Sequence, residues 1–244
     1  MMMASRGATR AGLVGLLLAC GLLGGACARR THRPNDAYHD PRVTADEWDR
    51  LFAGEQRQIF IERETIMRLA DIKAGTRVVD VGAGTGLFSM LLSDGVGSDG
   101  IVYAEEIMEK FSVFIAARAA REARANVVSV VGTETGIGLP PGSVDVAFLC
   151  DVYHHFDHHA EMMASIRRAL RAGGELVLVD YRRASGRSPS WLLEHVRAGE
   201  DEVEKEIEEA GFVLTSRDES LRDSYFLRFR RTEAAADGRD APLE

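Results

Sequence analysis

The chain has 244 residues, 45% of them hydrophobic, and a formal net charge of −8. That length holds one α/β domain with a substantial core and excludes two full ones. The acidic balance, with no clustered basic face, excludes nucleic acid as an expected partner.

Arg6 and Arg10 precede an apolar run, Ala11 to Leu23, which is too short for a comfortable membrane span and has the length of a secretory h-region. Leu17-Leu18-Ala19-Cys20 and Gly24-Gly25-Ala26-Cys27 each resemble a bacterial lipoprotein processing site, whose cysteine becomes the lipidated first residue. Residues 1–27 therefore read as a leader, and residues 28–44, polar and carrying Pro34 and Pro41, as a tether. The expected location is outside the cytoplasm, as a membrane-anchored lipoprotein or a periplasmic protein, and cytoplasmic if the leader is not used.

Residues 45–231 read as the domain. Ile59, Phe60, Ile66, Met67 and Leu69 recur at helical spacing within Glu55–Ala70, and Lys73-Ala74-Gly75-Thr76 turns that helix into a strand, Arg77–Val81. A helix opens at Leu87–Leu92, and a turn from Asp94 to Gly100 leads to a second strand, Ile101–Ala104. A helix from Met108 to Ala123 and a strand from Val127 to Val131 follow. Val144–Cys150 is an apolar run suited to a buried parallel strand, and Cys150 reads as an inert core thiol. The spacing then predicts a helix over His158–Arg171, stopped by Ala172-Gly173-Gly174, and a strand over Glu175–Asp180. A charged helix, Glu200–Ala210, precedes two last strands, Phe212–Ser216 and Tyr225–Arg230, and residues 232–244 read as a disordered tail. The alternation specifies a doubly wound, Rossmann-like α/β fold: seven strands, mostly parallel, ending in an antiparallel hairpin. Ligands in such sheets bind beyond the carboxyl ends of the strands.

The densest signal lies at the first of those ends, Asp80-Val81-Gly82-Ala83-Gly84-Thr85-Gly86. Glycines at alternate positions let the backbone turn sharply and approach a ligand closely. A pyrophosphate loop avoids a fixed carboxylate, whereas a cationic cofactor bearing an amino-acid group welcomes one; Asp80 therefore selects S-adenosylmethionine over a dinucleotide. A nicotinamide-dependent oxidoreductase would also need its glycines spaced Gly-x-Gly-x-x-Gly.

From about Glu55 to Arg230 the chain resembles a class I S-adenosylmethionine-dependent methyltransferase of the small-molecule type. Asp80, Gly82, Ala83, Gly84 and Gly86 match the family's first motif closely. The resemblance implies an acid at the end of the second strand that holds the ribose; in Tyr103-Ala104-Glu105-Glu106-Ile107, Glu106 takes that position and Glu105 is the runner-up. Where the family places Gly-Asp after the third strand, this chain has Gly132-Thr133-Glu134, so the adenine contact falls to Thr133, Glu134 or the backbone. Leu139-Pro140-Pro141-Gly142-Ser143-Val144-Asp145 resembles the family's linker into strand four, with Asp145 structural.

The fourth motif is Cys150-Asp151-Val152-Tyr153-His154-His155-Phe156. It implies Asp151 near the reacting centre and the cofactor, Tyr153 in the substrate pocket, and His154 as first candidate base, ahead of His155. Equally, these residues could cap the strand and pack on the cofactor. His195 and Arg197 follow strand five, where this family inserts acceptor-binding elements; they are read as pocket residues, against a plain helix covering the sheet. His154, His155, His158 and His159 also invite a metal reading, but no carboxylate or thiolate is spaced to complete a site, so no metal is expected. The acceptor is expected to be a small molecule. The lone Cys150 argues against arsenic, and an exported ligand-binding relative without transferase activity is the alternative.

Overall fold

The computed structural model of the chain describes residues 34–54, 57–186 and 188–233. The leader with Arg6, Arg10, Cys20 and Cys27, and the tail beyond Glu233, lie outside the described residues. Among the described residues, no helix is long and apolar enough to cross a membrane.

Seven strands form one sheet: β1 (Arg77–Val81), β2 (Ile101–Glu106), β3 (Val127–Val131), β4 (Val144–Cys150), β5 (Leu170–Tyr181), β6 (Phe212–Asp218) and β7 (Ser224–Arg231). Their order is β3-β2-β1-β4-β5-β7-β6. The first five are parallel, and β7 lies antiparallel between β5 and β6. The helices are α1 (Ala45–Phe52), α2 (Gln58–Ile61), α3 (Arg63–Ala70), α4 (Leu87–Val96), α5 (Glu109–Arg121), α6 (His159–Ala169), α7 (Ser190–His195) and α8 (Glu200–Glu209). Strand order reverses between β1 and β4, which opens the crevice where such sheets bind ligands.

The two-residue period of the strands sorts their side chains between two buried layers. Val79, Val81, Ala147 and Leu149 pack on one face with Met163 and Ile166 of α6 and Val203 and Ile207 of α8. Val78, Val102, Val146 and Phe148 pack on the other with Ile66 of α3 and Phe88, Leu92 and Val96 of α4. Asp145 secures the foot of this core: its carboxylate accepts hydrogen bonds from Arg77 N at 2.8 Å and Arg171 Nε at 2.6 Å.

The architecture is the expected one, and three local readings change. The helix expected over Glu55–Ala70 is two, parted at Glu62, whose ψ of 4° leaves the helical range. The helix at Leu87 continues through Asp94 and Gly95 to Val96 and stops at Gly97, with φ of +66°. Ala172-Gly173-Gly174 does not stop α6, which ends at Ala169. Instead β5 begins at Leu170, opposite Val144, and the next pairing is Val146 with Glu175, so residues 171–174 bulge out of the ladder. Gly173 has φ of +68°, and a Cβ on Gly174 would lie 3.0 Å from Asp145 O. Both glycines serve the bulge.

Candidate active site

At the end of β1 the chain turns through Gly82, Gly84 and Gly86, with φ of +64°, +57° and +81°. A Cβ on Gly82 would lie 2.3 Å from Val152 Cγ2, and one on Gly84 3.2 Å from Phe52 Cε2. Close packing and left-handed backbone both demand glycine here. The turn is fastened to the end of β2. Gly82 N donates to Glu105 Oε2 at 3.1 Å and Gly84 N to Glu106 Oε2 at 2.9 Å, while Glu106 Oε1 accepts from Met108 N at 2.9 Å. Glu105 Oε1 is buried without a hydrogen-bond partner. A Cβ on Gly132 would fall 1.7 Å from that oxygen, so the glycine after β3 makes room for the Glu105 carboxylate.

Burial dominates the electrostatics of this edge. It pushes Glu106 from 4.5 to about 7, against the hydrogen bonds from Met108 and Gly84. It pushes Glu105 to about 8, against the hydrogen bond from Gly82. Asp80 rises to about 7 by burial, opposed by Ser89. Of these, Glu105 and Glu106 line the cavity, and two carboxyls poised near neutrality make a wall that gains by receiving positive charge.

Asp80 does not face the loop's ligand side. It shares the Val78 face of β1 and points at α4, where Ser89 Oγ donates to its Oδ2 at 2.5 Å. It is 3% exposed and does not line the cavity at the strand ends. Its observed contact holds α4 to β1. Gly86 likewise lies behind the lining, under Ile115, whereas Gly82, Ala83, Gly84, Glu105, Glu106, Thr133, Glu134 and Asp151 all line the cavity. Thr133 also bridges to Gly136, its N–H donating to Gly136 O at 2.9 Å.

The remaining wall comes from the N-terminal part of the domain and from the expected tether. Asn35, Tyr38, Phe52 and Arg57 line the cavity with Phe111 of α5. Asn35 Nδ2 donates to His155 O at 3.1 Å, and Lys110 Nζ donates to the carbonyls of Asp40 and Val43 at 3.3 and 3.2 Å. Residues 35–43 thus lie against the domain, over the cavity. The Tyr38, Trp48, Phe52 and Phe111 rings pack together there, tilted or edge-on, with centroids 4.9–6.4 Å apart. Arg57 is ion-paired to Asp151, which sits in the left-handed region with φ of +60°. Burial pushes the Asp151 carboxyl up, and the Arg57 guanidinium pulls against it.

The histidines divide in an unexpected way. His154 lies behind the lining; its side chain is 3% exposed, and Nδ1–H faces Asp180 Oδ1 at 2.7 Å. Burial lowers its basicity, but the Asp180 charge and hydrogen bond outweigh that and leave its pKa raised. His155 does line the cavity, with its Nε2 3.4 Å from Tyr38 Oη. Burial, then His154, His195 and Arg57, push its pKa down to about 2, so it is neutral. His158 and His159 take no part: they lie nearest Glu134 and Glu206, at 4.0 and 3.6 Å.

Tyr153, His195 and Arg197, expected in the pocket, do not line this cavity. Tyr153 is fully buried and donates its hydroxyl to Glu206 Oε2 at 2.9 Å. Arg197 closes a two-pronged pair on the same Glu206, both contacts at 2.7 Å, which commits its guanidinium to α8. His195 instead packs its ring 5.0 Å from His154 and 5.1 Å from His155. Sequence reading missed Arg57, Tyr38, Phe52, Phe111 and Asp180. Thr44-x-x-Glu47 was the available signal for α1: Thr44 Oγ1 accepts from Glu47 N and Glu47 Oε2 from Thr44 N.

The strand order and the glycine turn on the first strand belong to a Rossmann-like α/β methyltransferase fold, mostly parallel with antiparallel C-terminal strands. Residues 79–178 match the methyltransferase domain family. The chain is 30% identical over 143 residues to an uncharacterized methyltransferase of Geobacillus sp. (strain WCH70), covering 56% of this chain and 63% of that one. It is 24% identical over 135 residues to the demethylmenaquinone methyltransferase of Lactococcus lactis, covering 55% and 53%. The chain thus spans between about half and two thirds of these curated relatives. Among solved structures, a SAM-dependent methyltransferase from Aquifex aeolicus superposes with a TM-score of 0.69 at 22% identity, over 78% of this chain and 99% of that one. Together these likenesses show a Rossmann-like methyltransferase fold.

Proposed function

We propose that this chain transfers a methyl group from S-adenosylmethionine to a small-molecule acceptor. The observation that carries the reading is the pairing of Gly84 N–H with the buried Glu106 carboxylate on one cavity wall. A carboxylate at the end of β2 suits vicinal ribose hydroxyls, and the partnerless Glu105 Oε1 beside the glycine turn suits a cationic ligand. When bound, the cofactor supplies an electrophilic methyl on a sulfonium. Glu106 is assigned to the ribose, Gly82 to Gly84 to close backbone packing, and Thr133 and Glu134 to the base-binding end.

Of the groups expected to move protons, Asp151 is engaged by Arg57 and His155 is too weak a base. His154, backed by Asp180, is the strongest base of the three but stands behind the wall. The chain's main work is therefore alignment and exclusion of water by the aromatic cover. That cover and the demethylmenaquinone methyltransferase relative support an apolar, ring-bearing acceptor. A methyl-transfer screen with labelled cofactor against a lipid and metabolite extract is expected to yield a labelled product. The absence of any product, with neither the cofactor nor its demethylated form copurifying, overturns the reading.

The leader supports export and lipid anchoring at Cys20 or Cys27, which would place the domain where its cofactor is scarce. Fatty-acid labelling that is lost in the Cys20→Ser or the Cys27→Ser variant is the expected result; an unlabelled protein retained in the cytoplasm contradicts it.

A further inference from the structure

We propose that His154, His155 and His195 form a binding site for a first-row divalent cation, with zinc the ion their chemistry matches best. The sequence hides this trio, because His195 lies on α7, after β5, far from the other two along the chain. Folding brings one ring nitrogen from each within 4.8 Å of one another. Nitrogens bound at about 2.0–2.1 Å in a tetrahedral zinc site stand roughly 3.4 Å apart. A modest tilt of the rings closes that difference.

Two of the three rings each hold a buried nitrogen without a hydrogen-bond partner. With Nδ1–H directed at Asp180 Oδ1, 2.7 Å away, the neutral His154 ring carries its lone pair on Nε2; that atom is buried and has no hydrogen-bond partner. A carboxylate behind a ligating imidazole is the usual supporting contact of a metal-bound histidine. His154 N also donates to Asp180 Oδ2 at 3.1 Å, so ring and backbone are held by one carboxylate. On His155 the arrangement is mirrored: Nε2 faces Tyr38 Oη, and Nδ1 is buried and unpartnered.

Two carboxylates also stand beside the trio. Asp151 and Asp180 each bring a carboxylate oxygen within 4.8 Å of a His154 nitrogen, and Asp151 is ion-paired with Arg57. Three imidazoles leave a fourth position of a tetrahedral ion open, the pattern of sites that bind an exchangeable ligand. Because His155 lines the cavity, that position would be accessible to a water or an acceptor oxygen there.

The test is a metal titration of the untagged full chain after dialysis against a chelator. One equivalent of Zn²⁺ per chain is expected, with a raised Tm, and X-ray absorption of the zinc form should count three imidazole ligands. His155→Gln and His195→Gln should each weaken binding at least tenfold, and Asp180→Asn by about 10–100-fold, the usual effect of losing a supporting contact. Binding below one fifth of an equivalent, two or fewer imidazoles, or affinity unchanged in both His→Gln variants overturns the proposal. The wild-type spectrum decides even if a variant fails to fold. The readout is metal content, so it stands or falls separately from methyl transfer.

Discussion

Gly82 makes two demands on one residue, a left-handed backbone and no Cβ within reach of Val152. The backbone alone costs an alanine roughly 1–3 kcal/mol. Gly82→Ala should therefore lower Tm and weaken cofactor binding together, as read by thermal denaturation and calorimetry. Glu105 makes a different kind of prediction. Its folded pKa of about 8 lies above its ordinary 4.5, so the folded chain holds a proton that the unfolded chain releases. That contribution to stability is complete below about pH 4.5 and is lost as pH rises through 8. Glu105→Gln, which cannot ionise, should flatten the fall in stability between pH 5 and 8 that the wild type shows in denaturant titrations. Glu106, raised to about 7, adds to the same window. A cationic ligand reverses the sense: it favours the ionised carboxylates, so binding should release protons near pH 7 and tighten as pH rises.

At the scale of elements, the cover of the cavity depends on a short helix. α1 begins at the Thr44–Glu47 capping box and is tied to the glycine turn by Arg118, whose Nη1 reaches Asp49 Oδ1 at 3.2 Å and Thr85 O at 3.3 Å. Thr44→Ala should fray this helix. Amide exchange over residues 45–52 should rise several-fold, and cofactor affinity should fall, with little change in exchange of β1 or β4. The strands were legible because their runs are apolar and bounded by turns; β1, β3 and β4 fall where the pattern puts them. The Gly173-Gly174 pair was not, since a helix stop and a strand bulge ask for the same residues and only pairing with β4 distinguishes them. Asp80 shows a similar limit at the site. Its position after Val78 and Val79 places it on β1, but the partner that claims it, Ser89, sits on the following helix. The cover was hidden for a third reason: residues 35–43 are polar and proline-bearing, and only their contacts with Lys110 and His155 give them a place.

For the whole molecule, the account turns on a cavity at the switch between β1 and β4, walled by carboxylates on one side and aromatic rings on the other. A histidine trio stands at its edge, with His155 on the wall and His154 behind it. The central claim is that the carboxylate side receives S-adenosylmethionine, with Glu106 as its principal anchor. Calorimetry of the full chain with S-adenosylmethionine, on wild type and Glu106→Ala, tests that most directly, with circular dichroism confirming that the variant folds. One cofactor per chain is predicted for the wild type, with affinity at least tenfold weaker in Glu106→Ala. No binding by the wild type, or equal affinity in the two proteins, would contradict it.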